Sequence, residues 1–322
     1  QDTDRSVGVQ WNLQRIQADR VWEALGITGA GIVVANLDSG VDWQHPDLST
    51  SYRGYTGKPF PTHAGNWYCA TDEGYTYPGD GLGHGTHTMG TMVGQNGVGV
   101  APDAQWIAVK IFTNQGNALE SWIHDGFQWV LAPEGDPALA PDIVNNSWGN
   151  SIGTSETYLP DVQALRAAGI MPLFSAGNDG PTRETIWSPA SLRESLAVGA
   201  TDEHDLIAFF SSRGPSPWGE VKPEISAPGV DILSTIPGGA WDTRNGTSMA
   251  APHVAGIVAL MHQANPALTN DEMERILVET AIPLGETSPN NDYGWGLVNA
   301  YAAVTRAGQF GRLEGRVADA AS

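Results

Sequence analysis

Short apolar segments rich in β-branched residues alternate along this chain with stretches of helical periodicity. Six segments predict strands, at residues 32–37, 106–112, 143–147, 171–175, 196–199 and 225–227. Because strands that alternate with helices are joined by crossovers, the pattern favours a parallel sheet covered on both faces. We therefore expect an α/β fold with three layers, in which helices lie on both faces of a mainly parallel central sheet.

Three stretches predict helices, and one predicts a loop. Residues 118–131 place apolar side chains at helical spacing, and Thr269 with Glu272 forms the pattern of a capping box for a helix that ends near residue 280. Residues 248–262 are apolar on all sides, which predicts a buried helix, with Pro252 tolerated in its first turn. The glycine- and tyrosine-rich stretch 52–83 predicts a long surface loop.

Composition limits the classes of protein to which the chain can belong. Its 322 residues contain no linker-like stretch, so we expect one domain over 1–322 with peripheral extensions at 1–12 and 308–322. A net charge of −20 argues against nucleic-acid binding. No segment reaches the roughly 18 apolar residues that span a bilayer, so we expect no membrane partner. Cys69 is the only cysteine, which excludes an intrachain disulfide.

A serine, a histidine and an aspartate are the candidates for catalysis. Ser248 begins the predicted buried helix, where backbone N–H groups and the helix dipole favour a nucleophile. His84, in Gly83-His84-Gly85-Thr86-His87, supplies a base, and Asp38 follows an apolar strand. Together they form a nucleophile, a proton shuttle and a carboxylate that orients the shuttle. His87 and His253 are alternative bases within the same motifs.

These three segments, in the order aspartate, histidine, serine, resemble the subtilisin-type serine peptidases, the subtilase family. The resemblance runs from about residue 11 to residue 304. Within the family, the motifs Val9-Gln10-Trp11-Asn12 and Asn146-Ser147-Trp148-Gly149 are most similar to the bacillopeptidase F branch. The resemblance implies the three-layer subtilisin-like fold and an endopeptidase that cleaves extended or unfolded polypeptides through an acyl-enzyme intermediate.

The same resemblance implies a secreted, extracellular enzyme that is made with its own inhibitory pro-segment. The start at Gln1 fits a mature product from which a signal and a pro-segment were removed. We expect a monomer whose partners are polypeptide substrates and whose chemistry needs no cofactor.

By resemblance, an oxyanion hole and a substrate cleft adjoin the triad. Asn178 would supply a side-chain N–H and Ser248 a backbone N–H to the oxyanion. Substrate would bind as an added β-strand, and the implied substrate-binding residues are Gly116, Asn117, Ala118, Ser147, Trp148, Gly149, Ala176 and Gly177. Ile123 and Phe112 would form the walls of an outer apolar pocket.

The primary pocket would lie between Trp148, residues 175–177 and Trp187. The sequence leaves open whether Trp187 is a wall of that pocket or part of the core. It also leaves open whether Asp179 and Glu184 favour basic substrate side chains or are simply solvated.

The chain departs from the family pattern at the calcium loop. Many subtilisins carry an insertion after the histidine motif whose oxygens bind calcium, and residues 94–100 are too few to contain it. Asp47, the matching carboxylate, is present, but one carboxylate is not a site for an ion that takes 6–8 oxygen ligands. Structural calcium elsewhere stays open, and the sequence assigns no metal ligands.

Three other functions compete with the peptidase interpretation. A binding-only relative would have lost a catalytic residue, and none is lost. An acid-active serine-carboxyl relative would use a glutamate as base, and the His84 motif argues against it. An esterase would carry Gly-x-Ser-x-Gly around its nucleophile, and Ser248 lacks that pattern.

Overall fold

A parallel β-sheet forms the centre of the molecule. The computed structural model describes residues 8–55 and 60–311. Its seven-stranded sheet has the order β2-β3-β1-β4-β5-β6-β7, and every neighbouring pair is parallel. The strands are β1 (Val33–Asp38), β2 (Trp67–Cys69), β3 (Gln105–Lys110), β4 (Ile143–Asn146), β5 (Met171–Ser175), β6 (Leu196–Thr201) and β7 (Ile225–Pro228). An antiparallel hairpin follows, made of β8 (Ile232–Ile236) and β9 (Ala240–Arg244).

Helices cover both faces of the sheet, because successive strand side chains point to opposite sides. Val34 packs into one core, whereas Ala35 and Leu37 pack into the other. The second core contains side chains of α4 (Glu120–Leu131) and α5 (Leu159–Ala167). The first contains those of α1 (Trp11–Arg15), α2 (Ala18–Leu25), α3 (His84–Val93), α6 (Thr247–Ala264), α7 (Asn270–Thr280) and α8 (Ala300–Gln309). The predicted three-layer α/β fold is confirmed.

Helix α7 confirms the predicted capping box. The Thr269 hydroxyl accepts from the Glu272 N–H at 3.3 Å, and the Glu272 carboxylate accepts from the Thr269 N–H at 2.9 Å. Two N–H groups without helical partners are thereby satisfied, so the helix begins where the sequence predicted.

Two predictions were wrong in part. The stretch 52–83 is not only a surface loop, because it contains the edge strand β2 and the buried rings of Tyr52 and Trp67. Helix α6 begins at Thr247, so Pro252 is its sixth residue and lies beyond the first turn. A proline there leaves the carbonyl of Ser248 without its helical N–H donor, and the side chain of Ser147 donates to that carbonyl instead, at 2.9 Å.

The predicted extensions are only partly described. Trp11 and Asn12 begin α1, and Gly308 and Gln309 end α8, whereas residues 1–7 and 312–322 lie outside the described residues. No helix in residues 8–55 and 60–311 combines the length and the apolar character needed to cross a bilayer.

Candidate active site

The candidate residues meet at the carboxyl edge of the sheet. Asp38 ends β1, Ser147 follows the adjacent β4, and Asn178 lies three residues beyond β5, the next strand. Two helices begin at this edge, with His84 as the first residue of α3 and Ser248 as the second residue of α6. Parallel sheets place binding sites outside the carboxyl ends of their strands, and the candidate residues lie in that position here.

Asp38 and His84 form a hydrogen-bonded pair. The His84 Nδ1 atom lies 2.8 and 2.9 Å from the two carboxylate oxygens of Asp38, which is 1% exposed. Since a carboxylate only accepts, Nδ1 carries a proton and Nε2 is the basic nitrogen of the neutral ring. Burial disfavours the charged imidazole, but the Asp38 carboxylate outweighs burial, so the pKa of His84 is raised above 6.5.

Asp80 fixes the start of helix α3, and the sequence analysis missed it. One of its oxygens accepts from the hydroxyl of Ser39 and from the N–H of Gly83, at 2.9 and 2.7 Å. The other accepts from the N–H and the hydroxyl of Thr86, at 2.9 and 2.7 Å. A carboxylate at a helix N-terminus is favoured by the helix dipole. Its position four residues before His84, among glycines, was the signal that could have predicted this cap.

Lys110 is a second residue that the sequence analysis missed. Its ammonium group, fully buried, donates to the carbonyl of Ser39 at 2.8 Å and to the side chain of Asn114 at 3.0 Å, and it pairs with Glu73 at 3.1 Å. A buried lysine is tolerated only when its charge is paired and its protons are bound. The ammonium group therefore links Ser39, which follows Asp38, to Asn114, which lies in the turn before residues 116–118. A lysine within the apolar strand β3 was the available signal.

Ser248 is anchored to the segment that follows β4. Its hydroxyl donates to the Ser147 carbonyl at 2.9 Å. The hydrogen bonds of the described residues include none between Ser248 and His84. Catalytic hydrogen bonds are often long or misaligned in a free enzyme and shorten when substrate binds.

The side chain of Asn178 has a fixed orientation. Its amide oxygen accepts from the backbone N–H and from the hydroxyl of Thr247, both at 3.0 Å. Because the amide oxygen is bound to Thr247, the amide nitrogen points away from Thr247. A Cβ atom placed on Gly246 would lie 3.6 Å from the Ser248 nitrogen and 3.9 Å from that amide nitrogen. Both nitrogen atoms therefore lie within 4 Å of one point beside Gly246.

The predicted substrate-binding segments lie on either side of β1. Residues 116–118 follow β3, and residues 147–149 follow β4, so two strand spacings separate them. That distance, about 10 Å, leaves room for one extended chain that pairs on both sides. The rings of Phe112 and Trp148 lie 6.2 Å apart, but Trp148 is 8% exposed and its indole N–H donates to Leu37 in the core. Ile123, a predicted pocket wall, is also buried.

His87 and His253 form hydrogen bonds with the scaffold, and the hydrogen bonds of the described residues include none between either ring and Ser248. His87 Nε2 is 3.1 Å from the carbonyls of Ile232 and Asp242. His253 is held between the Met249 carbonyl, at 2.9 Å, and the Asn12 amide, at 2.6 Å. Both rings are fully buried and hydrogen-bonded to the scaffold, an arrangement in keeping with a packing role.

The residues near the shortened loop do not fit calcium. One Asp47 oxygen accepts from the Asn96 amide at 2.6 Å, and the other accepts from the Trp241 indole at 2.8 Å. Both oxygens already have N–H donors, so this carboxylate serves to hold the loop. Within residues 8–55 and 60–311, no group of three or more His, Cys, Asp or Glu side chains could hold a metal ion.

Comparisons with known proteins identify the family of this chain. The model of the subtilase family matches residues 29–296. The chain is 49% identical to bacillopeptidase F of Bacillus subtilis (strain 168) over 96% of its own length and 23% of that protein. It is 36% identical to subtilisin E of the same strain, over 92% of this chain and 71% of that protein. It is 37% identical to M-protease of Shouchella clausii (strain KSM-K16), over 94% of this chain and 71% of that protein. The chain thus spans about a quarter of the bacillopeptidase F that it resembles.

Proposed function

We propose that this chain, which belongs to the subtilase family of serine endopeptidases, hydrolyses peptide bonds of extended or unfolded polypeptides. Asp38, His84 and Ser248 would form the catalytic triad. The observation that carries the proposal is the Asp38–His84 pair, at 2.8 Å, beside the start of the helix that holds Ser248. Ser248 would attack the carbonyl carbon, and the resulting acyl-enzyme would be hydrolysed by water.

The first chemical step would begin at the hydroxyl of Ser248. In the free protein this hydroxyl donates to Ser147, and it would exchange that acceptor for Nε2 of His84. His84 would then take the proton, and Asp38 would stabilise the imidazolium that forms. The same imidazolium would return the proton to the leaving amine.

The oxyanion would be bound by two N–H groups that are fixed before substrate arrives. One belongs to the Asn178 amide, whose oxygen Thr247 holds, and the other is the backbone N–H of Ser248. Donors oriented in advance need no reorganisation as charge develops, which is why such sites stabilise a transition state strongly.

Substrate would pair with both flanking segments as an added strand. A folded protein offers few free backbone stretches of that length, so extended or unfolded chains are the substrates that fit. Secretion, a removable pro-segment and a monomeric state are further proposals, and family membership supports them. The chemistry itself uses only side chains and backbone N–H groups of this chain.

Cleavage of one protein in its folded and denatured forms tests the proposal. We expect the denatured form to be cut at many sites and the folded form to be cut slowly. A fluorophosphonate should also phosphonylate Ser248, because His84 activates that hydroxyl. The serine oxygen displaces fluoride, so the peptide that contains Ser248 should gain the mass of the reagent minus HF. The His84→Ala variant is the control and should not be labelled. Binding of the denatured protein without cleavage, together with no labelling at any pH, would favour a binding-only relative instead.

The pH dependence of activity should report the raised pKa of His84. Because the base must be neutral, kcat/KM should fall as the pH drops through that pKa, so the acid limb should lie above pH 6.5. The charge of Arg244 lowers the pKa of His84, and that of Asp80 raises it. We therefore expect Arg244→Gln to move the limb to higher pH and Asp80→Asn to move it to lower pH. Shifts of the same sign in both variants would contradict this assignment of the base.

A further inference from the structure

A narrow gap adjoins Ser248 between the segments that follow β4 and β5. Ser147, on one side, accepts the Ser248 hydroxyl at 2.9 Å. Gly177, on the other side, donates its N–H to the hydroxyl of Thr247 at 3.2 Å. The family resemblance places the primary pocket between Trp148, residues 175–177 and Trp187. If Ser248 is the nucleophile, the substrate side chain immediately before the cleaved bond therefore enters this gap. The width of the gap therefore decides which side chain can be accepted.

Trp187 occupies that gap. Its backbone N–H donates to the carbonyl of Ala176 at 3.0 Å, and the next residue exchanges two backbone hydrogen bonds with Asn150, at 2.8 and 3.0 Å. The segment 186–188 is thus bonded to both sides.

Glycine at two facing positions lets the indole of Trp187 lie between the walls. A Cβ atom on Gly177 would be 2.5–2.7 Å from three indole carbons, and one on Gly149 would be 3.0 Å from the Trp187 Cβ and 3.3 Å from Cε3. The distances at Gly177 are shorter than real Cβ contacts, and those at Gly149 are tighter than most, so the ring packs directly against the backbone of Gly177 and closely beside that of Gly149. The indole fills space that a large substrate side chain would need.

A hydrogen bond holds the indole in this position. Its N–H donates to a carboxylate oxygen of Asp179 at 2.6 Å, and charge-assisted bonds of this kind are stronger than neutral ones. The backbone N–H of Asp179 is in turn bound by the Ser212 hydroxyl at 3.1 Å. Asp179 is therefore an anchor for the ring.

We infer that Trp187 is the specificity-determining residue of this site and restricts it to polypeptides with a small side chain, glycine, alanine or serine, immediately before the cleaved bond. This inference rests on the proposed function, since it takes Ser248 as the nucleophile. The physical reason is overpacking: a Phe or Leu side chain cannot share the gap with the indole unless the ring or the walls move.

Peptides that differ only in the residue before the cleaved bond test the inference. The unmodified chain should cleave the alanine peptide with a kcat/KM at least about tenfold above that of the phenylalanine peptide. Trp187→Ala should remove or reverse that ratio, mainly by raising kcat/KM for phenylalanine. Trp218→Ala is the matched control, because it removes a partly exposed indole elsewhere, and it should leave the ratio unchanged.

A second pair of variants tests the anchor and covers the case in which Trp187→Ala does not fold. Asp179→Ala removes the acceptor of the indole N–H and should lower the alanine-to-phenylalanine ratio. Asp179→Asn keeps an acceptor oxygen and should retain most of that ratio. Preference of the unmodified chain for phenylalanine, or equal ratios in all variants, would overturn the inference while leaving the peptidase proposal intact. Failure of the unmodified chain to cleave any peptide of the series would overturn both.

Discussion

Replacing Ser248 with alanine is expected to lower kcat by about a millionfold, the loss that subtilisin itself shows when its nucleophile is removed. The variant keeps the proposed oxyanion donors and the proposed substrate-pairing segments, because within residues 8–55 and 60–311 the Ser248 hydroxyl is hydrogen-bonded to Ser147 alone. Binding of an extended peptide should therefore be nearly unchanged. Single-turnover cleavage, read by mass spectrometry, measures the rate, and calorimetric titration with the same peptide measures the binding.

The double variant His84→Ala/Ser248→Ala tests whether the two residues act together. The losses in kcat from residues that act as one unit are not additive, so adding His84→Ala to Ser248→Ala should lower kcat hardly any further. Ser288→Ala, at an exposed hydroxyl, is the control and should keep full activity. Residual activity of more than about one part in a hundred in Ser248→Ala would show that another group is the nucleophile.

The sequence predicted the elements whose signals are local. The apolar run at β5 has the observed bounds, 171–175, because a strand buried on both faces must be apolar throughout. The capping box at Thr269 lies within four residues, so its pattern is visible without any tertiary contact. Asp38 could be placed at the edge of the sheet where the candidate site lies, because the carboxyl ends of parallel strands share one edge.

The elements that were missed depend on distant partners. β2 has only three residues, and it is a strand because Trp67, Tyr68 and Cys69 pair with β3, about forty positions along the chain. The hairpin β8–β9 has no continuous apolar run, because polar residues interrupt both strands. In β9 no position is buried. Neither strand carries a periodic pattern long enough to predict it from sequence.

Part of the site was missed for the same reason. Asp80 and Lys110 were not singled out, because their roles come from acceptors and donors that only the folded chain assembles around them. The sequence also left Trp187 open between pocket and core. That choice depends on Gly149 and Gly177, which lie far from each other in sequence and meet only on the two sides of the indole.

Acid should destabilise this protein through the buried histidines His87 and His253. Burial is the main cause that lowers the pKa of His87 to about 3 and that of His253 to about 4. In the unfolded chain both titrate near 6.5, so below that pH the unfolded state binds more protons and the free energy of unfolding falls. At pH 4 the loss is about 3 kcal/mol for each histidine, a large share of the 5–15 kcal/mol that typically stabilises a domain.

The hydrogen bonds of both rings explain why protonation is unfavourable in the folded state. His253 Nδ1 lies 2.9 Å from the Met249 carbonyl and must carry the proton, so Nε2 accepts from Asn12. A second proton on Nε2 would face that N–H donor. In His87 the Nδ1 atom is buried and has no hydrogen-bond partner among the described residues, so a proton there would be unsolvated. Arg244 and His84 also oppose a positive charge on His87.

Urea unfolding at pH 7, 5.5 and 4.5, followed by circular dichroism, measures this effect, and a Ser248→Ala background prevents self-digestion of the unfolded chain. The slope of the free energy of unfolding against pH gives the number of protons bound on unfolding. His253→Gln keeps a polar side chain without a titrating group and should reduce that number by about one, as should His87→Gln. His204→Gln, at a histidine whose side chain is 74% exposed, should leave the slope unchanged. If neither buried substitution alters the slope, the acid sensitivity must come from other groups. These are His63 and His262, whose pKa values burial also lowers, and native carboxylates that are charged and hydrogen-bonded and take up a proton when the chain unfolds in acid.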